Sequence, residues 1–210
     1  VEAKAVYALL LKAKLSEPGA AEEAARRIRE GVVPTLRAMP GFRLHLGFFS
    51  EACEAVGVTL FDDRATALEG YERVRAWVAE NMRDLTIGEP EVRSGTVLLR
   101  RGTAEGHNGP EAALFVTIRQ YEDVGPTEET LPLLAEHTLP IIEGHPGFRG
   151  FYAFRDEWNP HHAVSVSLWR GRAAALSSHE RVLVAMEALR GVFPLRPTVT
   201  VGAARITAGR

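Results

Sequence analysis

Alternating and three-to-four-spaced apolar positions divide this chain into strands and helices, in an order that occurs twice. Residues 6–13 and 113–121 are rich in aliphatic and β-branched side chains and too short for independent helices, which predicts opening strands. Ala21, Ala25, Ile28, Val32 and Leu36 then make one apolar stripe of a helix, as do Leu131, Leu134, Thr138 and Ile142 in the second half. Pro34 and Pro140 stand late in these helices. A proline there removes a backbone donor and crowds the preceding turn, so a kink or an early end is expected. Pro40-Gly41 and Pro146-Gly147 punctuate the chain before second strands at 42–49 and 148–155. Third strands are predicted at 55–61 and 163–169, second helices at 65–85 and 173–191, and closing strands near 92–99 and 198–206.

Each half therefore reads β-α-β-β-α-β, the ferredoxin-like split βαβ order of an α+β fold. The residues themselves also recur. Met39-Pro40-Gly41-Phe42-Arg43 returns as His145-Pro146-Gly147-Phe148-Arg149, 106 residues on. Leu60-Phe61-Asp62-Asp63-Arg64-Ala65 maps onto Leu168-Trp169-Arg170-Gly171-Arg172-Ala173 at an offset of 108, with two extra residues at Asn159-Pro160 in a predicted turn. A period of half the 210 residues signals a duplicated small domain, since solenoid units are far shorter. The expected division is a first repeat at 1–100, a linker at 101–111 rich in glycine, and a second repeat at 112–210. Helices on one face of each antiparallel sheet leave the other face to be covered, and packing the two sheets face to face within the chain would do it.

Composition narrows the function classes. Hydrophobic residues make up 46% of the chain, and 25 basic residues against 27 acidic give a net charge of −2, without the electrostatic footprint of a nucleic-acid binder. The apolar run at 5–11 is too short to span a bilayer, so no membrane partner is expected. Cys53 is the single cysteine, which fits a reducing compartment, and a cytoplasmic protein is the expectation. The chain has no His-Glu-x-x-His, paired Cys-x-x-Cys, Gly-rich phosphate loop or Gly-x-Ser-x-Gly elbow, so neither a metal, a nucleotide nor a serine hydrolase route is called for. His161-His162 sit in the widened turn without further ligands spaced for a metal, and His107 falls in the linker.

Candidate chemistry concentrates in the second repeat. Along 163–169, Val164, Val166 and Leu168 point one way, while Ser165, Ser167 and Trp169 point the other. Small hydroxyls beside a large aromatic suit a lined cavity or close sheet packing. His179 falls on a row with Leu176, Leu183 and Met186 that should face the sheet. With an ordinary pKa of about 6.5 it could take a proton from a substrate hydroxyl. The alternative is a core histidine hydrogen-bonded to Ser165 or Ser167. His137 could approach the same cavity from the other helix, or be an exposed helix residue. Tyr152, read as sharing a strand face with Phe148 and Phe154, could anchor a ligand or seal a seam, and Trp169 could wall a planar substrate or pack the core. Arg43 and Arg149 recur in both repeats, which points to support of the shared fold.

The β-α-β-β-α-β order, the Pro-Gly-Phe-Arg before the second strand, and the aromatic that ends the third strand ahead of a helix resemble the antibiotic biosynthesis monooxygenase family of the dimeric α+β barrel superfamily. Trp169, Leu176 and His179 are similar to that family's Trp, Leu and His pattern, with one extra residue between Trp and Leu; the first repeat has Phe61, Leu68 and Tyr71 there. The resemblance implies an intrachain dimeric α+β barrel, a pseudo-dimer in one chain that could associate further. It also implies oxidation of a small aromatic or quinol-like compound without metal or flavin; joined to the residue reading above, His179 would be the base, with Trp169, Tyr152, His137, Ser165 and Ser167 around the substrate. A non-catalytic small-molecule-binding or structural barrel is the alternative reading, and haem held by His137 or His179 is a third.

Overall fold

The computed structural model describes residues 5–102 and 114–209, so most of the expected linker, His107 included, lies outside the described residues. The chain divides into two compact units. Among described residues the first comprises 5–96 and 204–209, the second 97–102 and 114–203.

In the first unit β1 (Tyr7–Leu15), β2 (Phe42–Ser50), β3 (Glu54–Phe61), β4 (Thr86–Gly102) as far as Thr96, and β9 (Ile206–Gly209) form an antiparallel sheet in the order β4-β1-β3-β2-β9. In the second, β5 (Phe115–Tyr121), β6 (Phe148–Arg155), β7 (Ala163–Trp169), β8 (Thr198–Ala203) and the Val97–Gly102 part of β4 run β8-β5-β7-β6-β4. Each unit is thus the expected ferredoxin-like sheet with one added edge strand. The sequence-predicted last strand is divided, and its final piece, β9, pairs with β2 of the first unit from Leu44↔Gly209 to Gly47↔Ile206.

The same local devices shape both repeats. Gly41 (φ 75°) and Gly147 (φ 92°) take the left-handed conformation that the Pro-Gly pairs announce. Their carbonyls accept from Asp62 N at 2.8 Å and Arg170 N at 2.7 Å, which ties each turn to the end of the neighbouring strand. Arg43 also pairs with Asp62 at 2.5 Å. Arg170 replaces that aspartate in the second repeat, where Arg149 instead donates to the Phe148 carbonyl.

The helices carry the main departure from expectation. Neither Pro34 nor Pro140 ends its helix. Between α1 (Ala20–Arg27) and α2 (Val33–Arg37) the turn at Ile28–Val32 widens to π geometry, with Val33 N donating to the Ile28 carbonyl. Between α4 (Thr127–Leu133) and α5 (Leu139–Glu143) the turn at Leu134–Thr138 does the same, with Leu139 N donating to Leu134. Each proline follows that last donor and cannot bond four residues back; the wider turn moves its ring off the carbonyl it would otherwise crowd and lets the helix continue.

The long helices α3 (Arg64–Asn81) and α6 (Arg172–Glu187) complete each layer. Asp63 caps α3, accepting from Thr66 N at 2.9 Å. On α6 the buried row is Ala175, Ser178, Val182 and Met186, while Leu176 is 41% exposed. The row expected from Leu176 and Leu183 is therefore displaced by one position, and His179 lies at the margin of the buried face, half-buried. Apolar clusters fill the space under the helices of each repeat, around Leu36, Phe42 and Phe61 in the first and around Ile142, Phe151 and Trp169 in the second. Among the described residues no helix is long and apolar enough to cross a membrane.

Candidate functional site

Each unit holds a cavity under its helices. In the second, about 530 Å³ of space, open mouth included, is lined by Arg119 and Tyr121 of β5, Phe151 of β6, Ser165 of β7, and Leu134 and Thr138 of the π turn. The turn that Pro140 forces open thus supplies part of the wall.

Strand register decides which side chains meet. Arg119 pairs with Ser165, Thr117 with Ser167 and Phe115 with Trp169, so these six share the helix-facing side of the sheet. Arg119 is fully buried at 0% exposure. Its Nη1 donates to Ser167 Oγ at 3.1 Å and its Nε to His179 Nδ1 at 3.3 Å. Nη2 has no hydrogen-bond partner, and no carboxylate among the described residues lies within ion-pair distance. Burial lowers the Arg119 pKa, yet a guanidinium keeps its charge in a protein, so an uncompensated cation sits beside the cavity. Thr117 Oγ1, Ser178 Oγ and Trp169 Nε1 are likewise buried without partners. Unsatisfied groups between this face of the sheet and α6 are costly to keep, and of these four residues Arg119 alone lines the cavity.

His179 is pulled below the ordinary histidine range first by burial and then by the Arg119 charge, which keeps the ring neutral near pH 7. A guanidinium can only donate, so Nδ1 is the acceptor and Nε2 carries the proton. Tyr121 is buried, its phenol held protonated by desolvation and hydrogen-bonded to Ser165. Arg155 also reaches the wall but spends its donors on the Val124, Gly125 and Pro160 carbonyls and on Thr130 Oγ1.

Of the residues singled out from sequence, the structure gathers His179, Ser165 and Ser167 around Arg119. Trp169 shares their side but is fully buried, packed edge-on against Phe148 and His145 at centroid distances of 6.0 and 5.6 Å. Tyr152 pairs with Val166 and lies on the other face of the sheet; a register shift between Phe148 and Gly150 puts Phe148, against Trp169, on the face opposite Tyr152. His137 is exposed on the π turn. His162 meets Asn159 at 3.2 Å in its turn, and no group of three metal-ligating side chains occurs among the described residues.

The first unit's cavity is larger, about 740 Å³ with its mouth, and sequence reading passed over it. Leu11 of β1, His45 of β2, Thr59 of β3, Ile28 and Val32 of the π turn and Tyr71 of α3 line it. His45 is 6% exposed, its Nδ1 is 2.9 Å from Thr59 Oγ1, and burial pushes its pKa down to about 4. A histidine in the otherwise apolar run Leu44 to Phe49, and an arginine in Leu114 to Ile118 and beyond, were the available signals. Both were readable only once strand pairing showed their faces.

Two ferredoxin-like repeats in one chain define an α+β pseudo-dimer, the fold class of the dimeric α+β barrels. A solved protein described as a proposed monooxygenase from Fusobacterium nucleatum matches 98% of this chain and 95% of its own at 9% identity, TM-score 0.77. Another so described, from Lactobacillus acidophilus, matches 98% and 96% at 12% identity, TM-score 0.73. An anthrone oxidase-like protein matches 99% and 94% at 15% identity, TM-score 0.69. At these identities the likeness is one of fold. Residues 114–182, the second repeat from β5 into α6, match the antibiotic biosynthesis monooxygenase family. No curated protein matches the chain.

Proposed function

We propose that the second repeat oxidises a small aromatic compound with an ionisable or enolisable oxygen, using O2 directly. The observation that carries this reading is Arg119, a fully buried cation with an unpartnered Nη2 at the wall of the second unit's cavity. A guanidinium there stabilises an oxyanion where no water competes, which lowers the cost of deprotonating the substrate. His179 is kept neutral and so can act as the base, its Nδ1 being released when Arg119 turns toward the oxyanion. Ser165 and Ser167 fix the positions of Tyr121 and Arg119.

The anthrone oxidase-like neighbour supports anthrone as the probe. Anthrone loses a proton to give its enolate; O2 then adds one oxygen to the ring carbon and the other leaves as water, giving anthraquinone. The substrate itself supplies the electrons, so no metal or flavin is written into the step. Oxygen uptake with anthrone should fall on the order of 100-fold in Arg119→Met, while unfolding free energy rises by about 1–4 kcal/mol as an unpaired buried charge is removed. His179→Ala should also lose turnover. Wild-type turnover by Arg119→Met, or the absence of both anthrone binding and uptake in the wild type, would end this reading. An observation favouring a purely binding role is the occupied acceptor nitrogen of His179; anthrone binding without oxygen uptake would establish that role.

A further inference from the structure

We propose that the first repeat holds a second, chemically distinct binding site, for an uncharged aromatic molecule that presents one hydroxyl or carbonyl oxygen to His45 Nε2.

Register shows how the two cavities diverged. Aligned through Phe61 and Trp169, which pair with Tyr7 and Phe115, Leu11 stands where the second repeat has Arg119, and Thr59 where it has Ser167. His45 pairs with Thr59 as Phe151 pairs with Ser167. Duplication followed by divergence has therefore moved the polar group from one strand to another and replaced a cation by an imidazole.

The space around that imidazole is built. Gly47 and Gly57 face one another across β2 and β3, two residues along from His45 and Thr59 on the same side. A Cβ at Gly57 would stand 3.3 Å from His45 Cε1, and one at Gly47 would stand 3.5 Å from Nε2 and 3.1 Å from Ile206 Cδ1. The bare glycine pair lets the ring lie along the sheet. Nδ1 is engaged by Thr59, which leaves Nε2 without a partner among the described residues although the residue is 94% covered. Apart from His45 and Thr59 the walls are aliphatic, aromatic or glycine, and among the described residues no carboxylate, lysine or arginine lines the cavity. An anion would find no counter-charge here, because a ring whose pKa is about 4 stays neutral at physiological pH. A flat apolar molecule with one oxygen, by contrast, satisfies Nε2 as donor or acceptor according to the tautomer.

The test is a titration of full-length protein, 15N-labelled at histidine, with 2-naphthol, and with 2-naphthoate and naphthalene as controls. His45 is assigned by the ring signals lost in His45→Gln, and checked as a histidine that stays neutral at pH 5.5. Saturable shifts of its signals with 2-naphthol, and none with 2-naphthoate, are expected. Val74→Trp fills the cavity from α3, keeps the His45 ring as the reporter and should weaken the 2-naphthol response at least tenfold, a second handle if His45→Gln does not fold. Silence of the His45 signals up to the solubility of 2-naphthol overturns the proposal. So does an equal response to 2-naphthoate, or wild-type affinity at His45 in Val74→Trp. Because the readout is the His45 ring itself, ligand taken up elsewhere in the chain neither mimics nor hides it.

Discussion

Two buried side chains set the character of the two cavities, and neither is neutral in its cost. Arg119 keeps a charge with no carboxylate within ion-pair distance among the described residues, and His45 keeps a ring that burial makes harder to protonate. The second has a measurable consequence. The folded-state pKa of His45, about 4, lies below the ordinary value of about 6.5, so between these the unfolded chain binds more protons than the folded one. Its contribution to stability is full above about pH 6.5, declines as pH falls toward 4, and is level below that. The size is on the order of 3 kcal/mol at most. His179, also lowered, adds in the same direction. Urea unfolding at pH 7 and pH 4.5 should show this loss, and His45→Gln should be less sensitive to the change. An unchanged pH dependence in the variant would mean that His45 already titrates normally in the fold.

At the scale of elements, much was legible in the sequence. Periodicity placed eight strands and the helices because each has one buried and one open face, and the Pro-Gly pairs fixed the turns at Gly41 and Gly147. Three features were not legible, each because it depends on partners remote in sequence. A kink or an early end was expected at the prolines, whereas the helix continues through each of them behind a π turn at the preceding residues. The row on α6 was misplaced by one position because Ser178 is buried and Leu176 is not, the reverse of their intrinsic preference. Tyr152 was assigned to the wrong side because the shift after Phe148 reverses which residues face the helices. The π turn itself offers a test of how closely local geometry controls the cavity. Pro140→Ala restores a backbone donor, and relaxation of Leu134–Thr138 toward a regular helix would rotate Leu134 and Thr138 away from the wall. Anthrone turnover should fall about tenfold or more with helix content by circular dichroism retained. Unaltered turnover would show that the wall does not need the wider turn.

On the scale of the whole chain, the repeats are not simply consecutive. The last strand, β9, belongs with the first unit although it follows the whole of the second repeat in sequence. Ile206 and Ala208 are buried at 3% and 0% exposure in the first unit's core, Ile206 lines its cavity over Gly47, and Arg205 N donates to the Gly47 carbonyl at 2.9 Å. Nothing in the apolar pattern of residues 198–209 reveals this, since a short strand at a sheet edge is defined by the edge it meets. The dependence can be turned into a measurement. A chain ending at Ala203 loses those two core residues and leaves Leu44 to Gly47 of β2 without their neighbour. Removing one such isoleucine typically costs about 2–5 kcal/mol, so the first unit should unfold at lower denaturant and the His45 response to 2-naphthol should weaken. Anthrone turnover, resting on β5, β7 and α6, should persist under conditions where both units remain folded. Ile206→Ala should show the same pattern in milder form. The opposite result, turnover lost with the His45 signals unmoved, would mean that the C-terminal strand supports the second repeat and that the division between the units lies elsewhere.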